Sequence, residues 1–252
     1  MRQGSSHRKK LRRFWKATVR LVYPLECLNC GERLFSIENA LCPSCAARFE
    51  AERAVPCKRC ELRHDECICP VNGLPQVHLA PYPRPVTKRL VLTAKDHAYS
   101  DLAEYMARLL ADRIEQEETP PENAVICYLP RAPETVRETG VDQSQFLASA
   151  LAGTLGIPLV NALLHVKAKG FLWFHRLKAQ KEMSSYERRL AADRNFQLRP
   201  DAEPLIAGKR VYLVDDVITT GASITACADL LKSAGAASVL AVAIARTVQK
   251  NI

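Results

Sequence analysis

From Val211 to Val214 the chain is apolar, and two adjacent acids follow, Asp215 and Asp216. After Val217 and Ile218 come Thr219, Thr220, Gly221, Ala222 and Ser223. A buried strand delivers its last residues to the edge of an open α/β sheet, which is where such sheets place their ligands. Small residues and a glycine let backbone N–H groups close on a phosphate. The hydroxyls add donors, and the N-terminus of a following helix adds partial positive charge. Carboxylates beside a phosphate cradle repel the phosphate itself. The pattern therefore fits a ligand with phosphate at one end and hydroxyls or a bound cation at the other, as in a 5-phosphorylated ribose.

A second chemistry lies near the N-terminus, where eight of the ten cysteines fall between Cys27 and Cys69. Cys27 and Cys30 form one Cys-x-x-Cys pair, and Cys42 and Cys45 form another. Each knuckle places two sulfurs on one edge of a tetrahedron, the arrangement that Zn2+ takes. Cys57 and Cys60 make a third knuckle, while Cys67 and Cys69 are one residue apart, so His64 is an alternative ligand there. Pairing among the eight stays open. Four closed thiolates leave no position for substrate, so the metal is expected to fold the module rather than react. A redox switch built on the same thiols is the alternative. Cys127 and Cys227 read as small core residues.

The Val211–Ser223 segment resembles the phosphoribosyl pyrophosphate (PRPP) motif of type I phosphoribosyltransferases. Together with the cysteine module it resembles the ComF family of competence-associated proteins, which join a double zinc ribbon to a phosphoribosyltransferase-like domain. The run from Pro24 to Gly31 is similar to the family's opening knuckle, and Tyr128, Leu129, Pro130 and Arg131 stand where the family has its pyrophosphate loop. Arg137 to Ser144 is similar to an Arg-x-Arg-Gly-aromatic-Asn-Gln stretch, and Gln180, Arg188 and Arg194 to Phe196 match later positions. The resemblance implies that Asp215 and Asp216 hold ribose hydroxyls, directly or through Mg2+, and that Thr219, Thr220, Gly221, Ala222 and Ser223 hold the 5-phosphate. Pro130, Arg131, Arg137 and Gln143 would face PRPP, with Arg176, Lys178 or Lys181 completing the pyrophosphate site. Departures from the family stand at Thr139 (Arg), Val141 (aromatic) and Asp142 (Asn), and no glycine follows Cys60. One cation fewer and one anion more beside a pyrophosphate are expected to weaken its grip.

These residues need a scaffold, and the apolar pattern supplies one. Strands are expected at Val77–Tyr82, Ala124–Leu129, Pro158–Val160, Val211–Val214 and Val239–Ala245, with helices at Thr87–Lys95, Ser100–Gln116, Phe146–Leu155 and Ser223–Ala234. Residues 167–183 read as a long mobile loop. The fold class expected is α/β, a mostly parallel sheet of the type I phosphoribosyltransferase kind preceded by a small cysteine-rich zinc-ribbon module. The divisions are 1–24, a basic amphipathic segment; 25–75, the double zinc ribbon; and 76–252, the phosphoribosyltransferase-like domain.

The net charge of +9 is local, because residues 1–20 hold eight Lys and Arg and no acid. Leu11, Phe14, Trp15, Thr18, Val19 and Val22 recur there at helical spacing. Docking on the rest of the protein, attraction to nucleic acid phosphates or an anionic membrane, and a transit peptide all fit this helix. Hydrophobic residues at 48% and charged residues at 25% exclude wholesale disorder and collagen. No apolar run is long enough to cross a membrane or form a secretory signal, so a cytoplasmic location is expected. No hood for a nucleobase is evident. The expected function is a PRPP-binding protein of DNA uptake, with or without turnover, whose partners are PRPP or a related ligand, single-stranded DNA and DNA-uptake proteins. A nucleotide-salvage phosphoribosyltransferase and a non-catalytic PRPP sensor are the alternatives.

Overall fold

The computed structural model describes residues 25–34, 40–96, 100–166 and 195–247. The expected helix of 1–24 and loop of 167–183 lie outside the described residues. The module begins with two short antiparallel strands, β1 (Leu25–Glu26) and β2 (Arg33–Leu34), and continues into helix α1 (Pro43–Arg53). Then come β3 (Gln76–Tyr82), α2 (Pro85–Asp96), α3 (Ser100–Glu117), β4 (Ala124–Tyr128), α4 (Pro133–Thr139) and α5 (Gln143–Leu155). Next, β5 (Leu163–His165) pairs antiparallel with β6 (Phe196–Leu198). Helix α6 (Glu203–Ile206), β7 (Arg210–Ile218), α7 (Ala222–Ser233) and β8 (Ser238–Thr247) complete the described elements.

The central sheet has the order β3-β8-β7-β4, and every pairing in it is parallel. Its strands are buried on both faces, as helix-covered parallel sheets require. Side chains alternate along them. Val211 and Leu213 join a cluster with Cys227 and Leu231 of α7, whereas Tyr212 and Val214 join one with Leu110 of α3 and Leu151 of α5. Cys127 and Cys227 are fully buried, as small core residues should be.

The crossovers diverge between β4 and β7. After β4 the chain returns through α5 to Leu159, which bridges Ile126 on the side of β4 away from β7. After β7 it returns through α7 to β8 on the opposite side. The point of divergence is where the carboxyl ends of β4 and β7 lie side by side, the usual ligand position in such sheets.

The expected strand at Pro158–Val160 is reduced to one bridge, with Ile126 N–H on Pro158 O at 2.9 Å and Val160 N–H on Ile126 O at 2.8 Å. Leu159 makes that single parallel bridge, and the chain then enters the β5–β6 pair, which sequence patterning did not reveal. The cysteine module is short of apolar residues, as its composition implies, and it borrows a core. Leu41 and Phe49 are buried in the cluster that also holds Val77 and Leu90. α1 starts with Pro43, tolerated in a first helical turn, and holds three alanines. Near its end, Glu52 accepts the Val86 and Thr87 N–H groups and the Thr87 hydroxyl, each at 2.8 Å, and so caps α2.

Candidate functional site

β7 runs past the strand end expected at Val214, so Asp215 and Asp216 lie within it, with Asp215 in register with Ala243 and Val217 with Ala245 of β8. Asp215 Oδ1 accepts the Ser144 hydroxyl at 3.2 Å and the Asp216 N–H at 2.9 Å. Asp216 Oδ1 accepts the Val217 N–H at 2.7 Å, and its Oδ2 lies 3.5 Å from Arg131 Nη2. Neither acid is left to face its neighbour without a partner. Ser144 and Arg131 tie the pair to both α5 and the end of β4.

The Thr219–Ser223 segment turns directly from β7 into α7. Gly221 takes a φ of +76° at the helix N-cap and accepts the Thr225 N–H at 2.9 Å. A side chain is strained there, so the glycine is required by the backbone. The Thr220 hydroxyl accepts the Ala222 N–H at 3.4 Å. The first N–H groups of the twelve-residue α7 thus stand beside the strand-end acids.

At the end of β4, Leu129 N–H donates to Val214 O at 2.9 Å, which brings Pro130 and Arg131 alongside the β7 acids. Asp142 does not stand as a bare anion. Its Oδ1 accepts the Gln145 N–H at 3.3 Å and caps α5, and its Oδ2 accepts the Arg131 N–H at 3.1 Å. The Thr139 hydroxyl is engaged by backbone carbonyls, Thr135 O at 2.8 Å and Val141 O at 3.0 Å. Gln143, at the start of α5, is buried, and neither its amide nitrogen nor its oxygen has a hydrogen-bond partner among the described residues. A buried amide in that state calls for a ligand or a water.

Arg137 sits apart from the acids. Its side chain is exposed on α4 and bonds Pro133 O and Glu134, each at 3.3 Å. With Arg131 it borders a cavity of about 320 Å³ that Asn161, His165 and Arg199 also line. Sequence reading missed these last three, which only the β5–β6 pairing brings to the end of β4. Arg176, Lys178, Gln180, Lys181, Arg188 and Arg194 lie outside the described residues.

The cysteines gather as two sets, Cys27, Cys30, Cys42 and Cys45, and Cys57, Cys60, Cys67 and Cys69, with all sulfurs of a set within 4.8 Å of one another. Cys30 and Cys42 sulfurs are 3.8 Å apart, and Cys57 and Cys67 sulfurs 3.3 Å. Four thiolates on one Zn2+ with bonds of about 2.3 Å would stand about 3.8 Å apart, so the residues fit that ion. The Asn29 amide donates to Cys45 Sγ at 3.1 Å, and Ser44 Oγ lies 3.2 Å from Cys42 Sγ, which gives the first set polar support. Burial would raise the Cys27 thiol, but backbone hydrogen bonds at Cys42, Cys30 and Asn29 bring it down to about 7. The same contest at Cys57 also ends at about 7. His64 does not join the second set. Its Nδ1 lies 3.0 Å from His78 Nε2, and it belongs to the buried contact between module and sheet.

The two knuckles are built alike. Gly31 N–H donates to Cys27 O and Glu61 N–H to Cys57 O, both at 2.8 Å, with φ values of +78° and +62°. The missing glycine after Cys60 is thus replaced by Glu61 in the same left-handed conformation.

Residues 147–251, from α5 through β8, match the family model of the phosphoribosyl transferase domain. No curated protein matches the chain. Among solved structures, the allosteric regulatory enzyme of purine biosynthesis is 20% identical, with a TM-score of 0.35 over 56% of this chain and 26% of that one. Glutamine PRPP amidotransferase from B. subtilis, complexed with ADP and GMP, is 20% identical, with a TM-score of 0.36 over 60% of this chain and 26% of that one. Hypoxanthine phosphoribosyltransferase from Trypanosoma cruzi, complexed with the product IMP, is 14% identical, with a TM-score of 0.36 over 58% of this chain and 64% of that one. The chain thus spans about a quarter of the length of the first two. The fold is a mostly parallel α/β sheet of the type I phosphoribosyltransferase kind, preceded by a cysteine-rich module whose two four-thiol sets are able to hold zinc.

Proposed function

We infer that the chain binds PRPP, or a closely related 5-phosphorylated ribose, where the carboxyl ends of β4 and β7 lie side by side. The observation that carries this reading is the continuity of one segment. The strand-end acids Asp215 and Asp216 lead through Thr219–Gly221 into the N-terminus of α7, so hydroxyl acceptors and phosphate donors stand in fixed sequence. Thr219 to Ser223 hold the 5-phosphate, while Asp215 and Asp216 hold ribose hydroxyls or Mg2+. Pro130, Arg131 and Gln143 face the ligand from the β4 side, and Arg137 lies at the rim. In turnover, an acceptor attacks ribose C1 as pyrophosphate leaves, and the developing charges meet the acids on one side and Arg131 on the other. Isothermal titration of PRPP with Mg2+ into the zinc-loaded protein tests the binding. Replacing both acids by Asn should weaken it by about a hundredfold or more, since each hydrogen bond to a charged group is worth about 1.5–3 kcal/mol. Incubation with a panel of nucleobases, followed by phosphorus NMR for released pyrophosphate, tests the transfer.

The wider setting that we propose is a ComF-type role in DNA uptake in the cytoplasm, supported by the pairing of two four-cysteine sets with this domain in one chain. Zinc holds the module, and the eight cations of residues 1–20, beside Phe14 and Trp15, contact single-stranded DNA. DNA-uptake proteins are the partner class this implies. No described helix is long and apolar enough to cross a membrane. Deleting residues 1–20 should weaken single-stranded DNA binding and flatten its salt dependence. Unchanged affinity and slope would reduce the tail to a docking helix.

A further inference from the structure

The link between the cysteine module and the sheet ends in a tight turn. Val71 N–H donates to Leu74 O at 3.0 Å, and Leu74 N–H donates back to Val71 O at 2.9 Å. Between them, Asn72 has a φ of +50° and Gly73 of +80°. This is a two-residue type I′ turn, in which asparagine and glycine are the favoured pair. Its base is anchored. Val71 and Leu74 are buried in the cluster that holds Ile218 and Ile224, which flank the Thr219–Ser223 segment. Just before the turn, Cys69 O accepts Gln76 Nε2 at 2.9 Å and Arg246 Nη1 at 2.6 Å.

From that platform the turn reaches the proposed phosphate loop. Asn72 Nδ2 donates to Thr220 O at 3.0 Å and lies 3.5 Å from Thr225 Oγ1. A Cβ on Gly221 would stand 2.2 Å from Val71 Cγ2 and 2.9 Å from Asn72 Nδ2, so the loop presses directly on the turn. Across a trans peptide the carbonyl and the following N–H point in opposite directions. Holding Thr220 C=O on Asn72 therefore aims the Gly221 N–H away from the turn.

We propose that Asn72 is a positioning residue for the phosphate loop: through Thr220 C=O it orients the Thr220–Gly221 peptide that receives the 5-phosphate of a sugar phosphate. This rests on the reading of Thr219–Ser223 as a phosphate site. It adds that the end of the cysteine module braces that site from behind the loop, and that Asn72 acts on the phosphate end of the ligand and not on its pyrophosphate end.

Asn72→Gly separates the amide from the turn, because glycine suits a type I′ position and brings no donor. The zinc-loaded full chain and this variant are titrated with ribose 5-phosphate, with PRPP and Mg2+, and with inorganic pyrophosphate and Mg2+, and their melting temperatures are compared. The variant should bind ribose 5-phosphate and PRPP about three- to tenfold more weakly, the scale of one neutral hydrogen bond. Its pyrophosphate affinity should be unchanged. Equal sugar-phosphate affinity in variant and wild type overturns the role of Asn72 and leaves the phosphate site standing. A parallel loss of pyrophosphate binding also overturns it, since it marks general loosening. If wild type binds neither ribose 5-phosphate nor PRPP, the phosphate site fails and the role of Asn72 fails with it.

Discussion

Asp142 Oδ2 accepts the backbone N–H of Arg131 at 3.1 Å, joining the start of α5 to the loop that leaves β4. Its other oxygen caps α5 through the Gln145 N–H. Asp142→Asn keeps only one carbonyl oxygen for these two donors and removes a negative charge beside Arg131. Two opposite effects should follow. The protein should lose about 1 kcal/mol of stability, as for a weakened cap, and its affinity for pyrophosphate should rise severalfold. Thermal melts and pyrophosphate titration check the two directions separately, and lower pyrophosphate affinity in the variant would show that Asp142 supports the anion by bracing the loop.

Glu61 carries a left-handed backbone conformation in the knuckle where its counterpart is Gly31. A non-glycine residue in this region costs about 1–2 kcal/mol. Glu61→Gly should therefore stabilise the module by about 1 kcal/mol after the added freedom of the unfolded glycine is subtracted. The check is the free zinc concentration at which the variant unfolds, which should fall below that of wild type.

The parts of the fold visible in the sequence are those whose signals are local. β7 and β8 are long apolar runs, and the knuckles repeat within four residues, so strands and thiol sets both follow from short-range pattern. β5 and β6 have three residues each and pair across a long intervening segment, so nothing near Leu163 announces its partner Leu198. Asn161, His165 and Arg199 share that fate. The turn at Asn72 is visible as a turn, but its purpose is not, because Thr220 lies 148 positions away. The partners of Asp215 and Asp216 were equally hidden. Ser144 and Arg131 reach them only after the parallel sheet has set β4 beside β7.

Gly221 meets two demands at once, a φ of +76° and contact with Val71. Gly221→Ala should destabilise by about 2–4 kcal/mol, combining left-handed strain with overpacking. Val71→Ala removes the nearest methyl group and should relieve the overlap but not the strain. In a double-mutant cycle the pair should therefore couple favourably by about 1 kcal/mol or more. Simple additivity would mean that the loop moves aside without resistance.

Zinc binding should release protons. Cys27 and Cys57 are brought down to about 7, whereas desolvation and neighbouring thiols push Cys30 up to about 12 against a lowering backbone hydrogen bond at Glu32. A thiol must lose its proton to bind the metal, so apparent affinity should fall steeply from pH 8 to pH 6. Competition with a colorimetric chelator measures this, and elemental analysis should find two zinc ions per chain. Protein purified without chelators that contains no zinc would sink the structural assignment of both sets.

The contact between module and sheet should also respond to acid, through His78. Its imidazole is completely buried. Gln76 Nε2 donates to Cys69 O, which leaves Gln76 Oε1 to accept from His78 Nδ1 at 3.0 Å. His78 Nε2 must then accept from His64 Nδ1, also at 3.0 Å, so His78 is held neutral in one tautomer. Burial, followed by His64, Arg246 and Arg113, drives its folded pKa well below 6.5. Below pH 6.5 the unfolded chain binds a proton that the folded chain refuses, so stability present above that pH is lost as pH falls. The loss approaches about 1.4 kcal/mol per pH unit for this one group, or about 2 kcal/mol between pH 6.5 and pH 5. His78→Gln keeps a donor and an acceptor and removes the titration. The variant should be less stable than wild type at pH 8, with a gap that narrows by about that amount at pH 5. Denaturant melts at both pH values decide it, and a gap that stays constant would place the acid sensitivity elsewhere in the molecule.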